Sequence, residues 1–172
     1  QGLNYTAGGR SGITDADGLL YYFPRDANIT ASLGNLQLLS KTGEELFAGS
    51  TLTPYDLFGI EEGLLANNVT NFARLLLTLD NDSNAENGIQ LTQGSVPTSL
   101  TSLNDFSVDN DTFSSTVSGL SLKSSAAALQ HLHESMRRKN LGLDNYSQYP
   151  DRGQVSVALD SIVAIAFAEP LR

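Results

Sequence analysis

The 172-residue chain contains no cysteine and no tryptophan, and only 17% of its residues are charged. The absence of cysteine excludes disulfides, thiolate nucleophiles and thiolate metal sites. The absence of tryptophan removes a common aromatic platform for sugars. Serine, threonine, asparagine and glycine replace the missing charged residues, and this composition is typical of β-rich extracellular proteins.

The net charge of −9 and the pI of about 4.4 limit the partners of the chain. An acidic surface repels phosphate backbones and anionic lipid, so we expect no nucleic-acid partner. The hydrophobic content of 40% suffices for a core, and the length predicts a single domain over residues 1–172.

No apolar run reaches the length of a membrane span. The chain shows no signal peptide and does not begin with methionine, so we expect a mature product whose precursor carried a targeting segment or a lipid anchor. The predicted location is extracellular or at the cell surface.

Residues 67–79 predict the core helix of the fold. Its apolar residues recur at helical spacing, and Leu75 and Leu77 widen the stripe until little of the helix is polar. The stripe consists of Val69, Phe72, Ala73, Leu76 and Leu79. A helix of this kind is covered on more than one face, so we expect an antiparallel sheet or small sandwich to pack on it.

The N-terminal part, residues 1–50, predicts an antiparallel β-meander. A strand over residues 3–6 ends at Gly8-Gly9, and the Asp-Ala-Asp-Gly turn at residues 15–18 predicts a hairpin between residues 13–14 and 19–23. Residues 28–33 alternate between apolar and polar and return through Gly34-Asn35.

Residues 100–172 predict a mixed β/α part. Short alternations around Phe106, Phe113 and Leu120 indicate strands. A second helix is predicted over about residues 124–140, because Ser124 can cap it and basic side chains in its last turn complement the helix dipole.

Residues 155–167 alternate with period two and predict one long strand of very low charge. Such a strand lies either in the centre of its own sheet or in a pair with another subunit. The apolar positions that would form this interaction strand are Val155, Val157, Leu159, Val163, Ile165 and Phe167.

The acidic loop within residues 64–91 places oxygen ligands at alternate positions after the core helix, as calcium sites do. The candidate ligands are Asp80, Asp82, Asn84, Glu86 and Asn87. The loop is not an EF-hand, because Ala85 stands where glycine is needed and Leu91 where a bidentate glutamate is needed. A different calcium site and an asparagine-rich turn that caps the helix both remain open, and no cofactor is required.

The residues do not form a familiar catalytic motif. His131 and His133 are the only histidines, and residues two apart on a helix point in different directions, so a zinc site is not expected. No G-x-S-x-G, Walker or G-x-G-x-x-G motif occurs. Dispersed carboxylates leave a hydrolase as an alternative, but we expect a protein that is not an enzyme.

Six Asn-x-Ser/Thr sequons fit a glycosylated surface protein. They begin at Asn4, Asn28, Asn68, Asn81, Asn110 and Asn145.

Three motifs follow one another in the first half: GITDADG at residues 12–18, LTPYDL at 52–57 and NFARLL at 71–76, the last followed by LD at 79–80 and NGI at 87–89. Over about residues 2–91 this order resembles a family of secreted or lipid-anchored envelope proteins of Gram-negative bacteria, mostly uncharacterised. The family loop often reads Asp-x-Asp-Gly, whereas this chain has Ser83 in place of the glycine. The resemblance implies export and β-rich modules at the cell surface, and it brings no catalytic residues.

These observations predict an α+β, β-rich domain with an antiparallel sheet on the core helix. The predicted function is that of a non-enzymatic extracellular or cell-surface module, structural or adhesive, which pairs its strands with further copies of itself in a filament or pilus-like assembly, or with a surface partner. The alternative is a calcium-dependent ligand- or carbohydrate-binding module of the bacterial envelope.

Overall fold

The computed structural model describes residues 1–16, 18–46, 51–84 and 87–138, and the backbone of Ala164–Ile165. The strands are β1 (Asn4–Ala7), β2 (Arg10–Ile13), β3 (Leu19–Leu20), β4 (Ile29–Leu33), β5 (Leu36–Lys41) and β6 (Ala164–Ile165). The helices are α1 (Pro54–Phe58), α2 (Asn67–Leu79), α3 (Asn110–Thr116) and α4 (Ser125–Arg138), with 3-10 helices at Gln93–Ser95 and Leu103–Phe106.

Four strands form an antiparallel sheet in the order β2-β1-β4-β5. Its hairpins turn at Gly8-Gly9 and Gly34-Asn35, where glycine adopts the positive φ that such tight turns need. Strand β4 alternates as predicted, with Ile29, Ala31 and Leu33 completely buried.

The predicted hairpin across residues 15–18 is wrong. Strand β2 pairs with β1, while β3 pairs in parallel with β6. Asp15 does accept the hydrogen bonds expected of a turn, from the amide of Gly18 through its carbonyl and from the amide of Leu19 through Oδ1, both at 2.9 Å. Strand β2 pairs with β1 because the two-residue turn Gly8-Gly9 joins them directly in a tight hairpin.

Helix α2 has the predicted bounds and lies at the centre of the core. It packs against the other three helices and against the 3-10 helix Leu103–Phe106, which also contacts β5. Helices and sheet share one hydrophobic cluster. The predicted α+β class, the antiparallel sheet on a core helix and the second helix are thereby confirmed.

Phe106 and Phe113 lie in the helices Leu103–Phe106 and Asn110–Thr116 rather than in the predicted strands, and Leu120 lies in a segment that is not a strand. The side chain of Asp109 caps α3 by accepting from the amides of Asp111 and Thr112. Phe113 and Val117 are both buried, at a spacing of four that fits one helical face as well as the alternation of a strand. The Asp109 cap favours the helix over the strand.

Two polar side chains of α2 are buried and hold the neighbouring loop. Arg74 donates to the carbonyls of Lys123 at 2.9 Å and Asn110 at 3.2 Å, to Oδ1 of Asn71 at 3.3 Å and to Oγ of Ser114 at 3.1 Å. The guanidinium therefore binds neutral acceptors, and no carboxylate of the described residues forms an ion pair with it.

Asn71 extends this network. Its Nδ2 donates to the carbonyls of Phe106 and Val108 at 3.0 and 2.9 Å. The network thus holds residues 106–123 against α2. Its two side chains, Asn71 and Arg74, are polar, so the hydrophobic pattern of the helix alone would predict that they face solvent.

Aromatic rings fill the space beside this network. Phe106 lies 5.2 Å from Phe72, 5.2 Å from Phe113 and 6.0 Å from Phe58, measured between ring centroids. Within the described ranges, no helix has the length and apolar character that a membrane span requires.

Candidate functional site

Asp80 ends helix α2 and begins the acidic loop. Its side chain is only 5% exposed. Its Oδ1 accepts from the amide of Gln90 at 2.9 Å, which joins the end of the helix to the segment after the loop. Its Oδ2 is buried and accepts no hydrogen bond from any described residue.

Asp82 is exposed in the same loop and accepts several hydrogen bonds. It accepts from the amide of Asn84 at 2.9 Å, from Nδ2 of Asn87 at 2.7 Å and from Nε2 of Gln90 at 2.9 Å. Sequence reasoning missed Gln90, although it follows the loop directly, because its contact depends on how the chain folds back after the loop, where the carbonyl of Gln90 accepts from the amide of Asn81 at 2.8 Å.

The pKa values of these two carboxyl groups are shifted in opposite directions. Burial, and then the neighbouring Asp82, raise the pKa of Asp80 above its ordinary value, against the opposing effects of the Gln90 amide and of His131. The Asn87 amide, and then the Asn84 backbone, lower the pKa of Asp82. Asp80 is the group that resists ionisation, and Asp82 is the group that keeps its charge.

Of the candidate ligands, Asp82 and Asn87 are hydrogen-bonded to each other, Asp80 stands at the start of the loop, and Asn84 contributes its backbone amide and carbonyl. Glu86 lies outside the described residues. Among those that are described, no three histidine or acidic side chains form a group suited to a metal. The hydrogen bonds are those of an asparagine-rich turn, and the donor-free Oδ2 is the feature that such a turn does not explain.

Replacement of Asp80 by asparagine is expected to raise the free energy of unfolding at neutral pH by about 1–2 kcal/mol. The amide keeps the acceptor for Gln90 and supplies a donor at the place of Oδ2. Because the folded-state pKa of Asp80 is raised, its protonated form favours folding, so wild type should lose stability relative to Asp80→Asn as pH rises from about 4.

Urea unfolding of both proteins in chelator, from about pH 4 to 8, measures this difference. As a control, Asp109 has a lowered pKa, caused first by the Thr112 amide, so its contribution to stability falls as pH falls. A difference between wild type and Asp80→Asn that does not change with pH would contradict the prediction.

The predicted interaction strand is described only at β6. Its backbone pairs in parallel with β3, Leu19 opposite Ala164 and Leu20 opposite Ile165. The other positions of that strand lie outside the described residues, namely Val155, Val157, Leu159, Val163 and Phe167.

The surroundings of β3 combine buried and exposed apolar groups. Leu20 is completely buried, whereas Tyr21 directly after β3 is 42% exposed and Ile13 at the end of β2 is 63% exposed. The hydroxyl of Tyr21 donates to Asp15 at 3.1 Å. Two further exposed leucines, Leu64 and Leu65, lie between α1 and α2.

A groove of about 410 Å³ runs between β5 and α1 and is lined mainly by leucines. Its charged residues serve structural roles: Lys41 and Glu45 lie 4.0 Å apart, and Asp56 accepts from the amide of Thr53 in the capping box of α1. The groove has room for an apolar group, and its charged side chains already have partners.

The two histidines lie on α4 and contact different groups. His133 hydrogen-bonds the hydroxyl of Tyr55 at 3.2 Å, and His131 lies 3.4 Å from Oγ of Ser135. With Asp80 nearby, the pair His131–Ser135 has the composition of a hydrolase triad. Ser135 is only 2% exposed and also accepts from Arg138, so a substrate could not reach it.

The sequons differ in exposure. Asn4, Asn28 and Asn81 are exposed, and Asn145 lies outside the described residues. Asn68 accepts from the amide of Val69 through Oδ1. Nδ2 of Asn110 donates to Ser125, a bond that a glycan on this nitrogen would replace.

Comparison of the chain with models of known families, with curated proteins and with solved structures found no match.

Proposed function

We propose that the chain is a non-enzymatic structural or adhesive module, exported to the cell surface or beyond, whose copies assemble by pairing β6 of one with β3 of the next. The observation that supports this proposal is the parallel pair between β3 and β6. The low charge content and the absence of cysteine and of a catalytic motif are consistent with such a module.

The β3–β6 pair is small and therefore exchangeable. It consists of two residue pairs, and neither strand belongs to the four-stranded sheet. A second copy offers the same two strands, so the same backbone bonds can form between molecules. Since each copy then donates β6 and accepts with β3, the contact is head-to-tail and produces a ring or a filament.

The exposed side chain that follows β3 favours the same joint. Tyr21, directly after the acceptor strand, is 42% exposed, and aromatic side chains are enriched in subunit contacts. Strand β2 is a poorer joint, because it is an edge strand with an exposed Arg10 and with Gly12 in its interior.

Replacement of Ile165 by proline is expected to convert the assembled protein to monomers. Proline removes an amide and cannot take part in a regular ladder. Replacement of the same residue by valine preserves strand propensity and should preserve assembly. Multi-angle light scattering after size-exclusion chromatography measures the mass of each variant.

A synthetic peptide of residues 155–167 provides an independent test. In excess it should occupy β3 and lower the mass of wild-type assemblies, while a peptide with proline at position 165 should not. Unchanged assemblies with Ile165→Pro and with the peptide would contradict the proposed joint.

A second candidate is a calcium-dependent ligand- or carbohydrate-binding module of the envelope. The buried Oδ2 of Asp80, which has no donor among the described residues, supports this candidate.

A further inference from the structure

We infer that Asp80 and Asp82 bind one divalent cation, with Ca²⁺ as the best chemical match, at the junction of α2 and the acidic loop. The inference rests on the second candidate function and names its cation site. It begins from Oδ2 of Asp80, which is buried and meets no donor among the described residues. A buried carboxylate oxygen needs a proton, a donor or a cation as its partner.

The neighbour of this carboxyl group is another carboxyl group. Asp82 stands two residues after Asp80 in the same loop, and its charge raises the pKa of Asp80. Two ionised carboxylates in one loop repel, and an oxygen-seeking cation between them relieves the repulsion and replaces the missing donor.

The neutral side chains of Asn87 and Gln90 can complete the coordination shell of the cation. The amides of Asn87 and Gln90 meet Oδ2 of Asp82 at 2.7 and 2.9 Å through their nitrogens. A half-turn of each terminal amide group places an oxygen where the nitrogen was. Two carboxylates, two amide oxygens and water form a shell that suits Ca²⁺ better than the strict octahedron of Mg²⁺.

A single proton shared by Asp80 and Asp82 is the competing occupant. The other titratable groups that act on Asp80, or on which it acts, are His131 of α4 and the amino group of Gln1, which donates to the carbonyl of Ile89 at 3.0 Å. Oδ2 of Asp80 accepts a hydrogen bond from neither of them, so titration with the cation itself decides between proton and cation.

With two carboxylates and an exposed loop, the affinity should lie near that of extracellular calcium modules, about 10⁻⁴–10⁻³ M. The test is thermal unfolding of the full chain in about 10 mM CaCl₂ and in chelator, for wild type, Asp80→Asn and the control Asp111→Asn. Asp111 is exposed on α3, away from the loop in sequence.

We expect Ca²⁺ to raise the Tm of wild type and of Asp111→Asn by roughly 3–6 °C, and to leave Asp80→Asn unchanged. Calorimetric titration with CaCl₂ should give one site in wild type and none in Asp80→Asn. No response of wild type would overturn the inference in favour of the shared proton. An equal rise in the Tm of Asp80→Asn would also overturn the inference, because the cation would then bind at another place.

These outcomes are separable from the proposed functions. Light scattering in Ca²⁺ and in chelator reports assembly independently of the Tm shift. A glycan-array experiment with and without Ca²⁺ reports carbohydrate binding, so a confirmed cation site with no calcium-dependent glycan binding would preserve the inference and remove the carbohydrate version of the second candidate.

Discussion

Replacement of Arg74 by methionine is expected to lower the free energy of unfolding by about 3–4 kcal/mol. Four acceptors lose a donor: the carbonyls of Lys123 and Asn110, Oδ1 of Asn71 and Oγ of Ser114. Each net hydrogen bond contributes about 1 kcal/mol, and buried acceptors left without a donor cost more. Urea unfolding followed by circular dichroism measures the change.

Two controls separate this network from charge alone. Arg74→Lys keeps the charge but loses the planar fork, so it should still be destabilised by about 2 kcal/mol. Arg137→Met removes an exposed charge from the last turn of α4 and should change stability by less than about 0.5 kcal/mol. Equal losses at positions 74 and 137 would show that burial of the guanidinium contributes nothing.

Replacement of Phe106 by alanine is expected to cost about 3–5 kcal/mol. The ring is completely buried and contacts the rings of Phe58, Phe72 and Phe113. Its removal loses apolar burial and these ring contacts, of which the one with Phe72 is edge-to-face, and leaves a cavity where α2 meets residues 103–116.

Phe106→Leu is the matched variant, because it fills much of the cavity and should cost less than about 2 kcal/mol. Thermal and urea unfolding of both variants give the ratio of the two losses. A loss below about 1 kcal/mol for Phe106→Ala would mean that the aromatic cluster does not hold the helices together.

Local sequence signals predicted the elements that depend on local physics. The bounds of α2 follow from its apolar stripe, and the Gly34-Asn35 hairpin follows from its turn residues. The start of α1 also has a local cause, because Thr53 caps the helix and Pro54 stands in its first turn. These features need no knowledge of distant residues.

The errors arose where a distant contact or a competing local signal decided the outcome. The partner of β3 is β6, far along the chain, and no local pattern specifies it. The alternation of residues 113–117 matched a strand, but the Asp109 cap favours a helix. At the candidate site, the loop composition identified Asp80 and Asp82, whereas the burial of Asp80 and the contacts of Gln90 depend on how the chain folds back after the loop.

The central claim is that copies of this chain join through β6 and β3. The most direct measurement is light scattering of the purified full chain over a dilution series, with negative-stain electron microscopy of the same samples. Rings or filaments that dissociate on dilution, and that Ile165→Pro abolishes while Ile165→Val preserves, are the result expected here. A monomer at every concentration for wild type would contradict the claim and leave the β3–β6 pair as a contact within one chain.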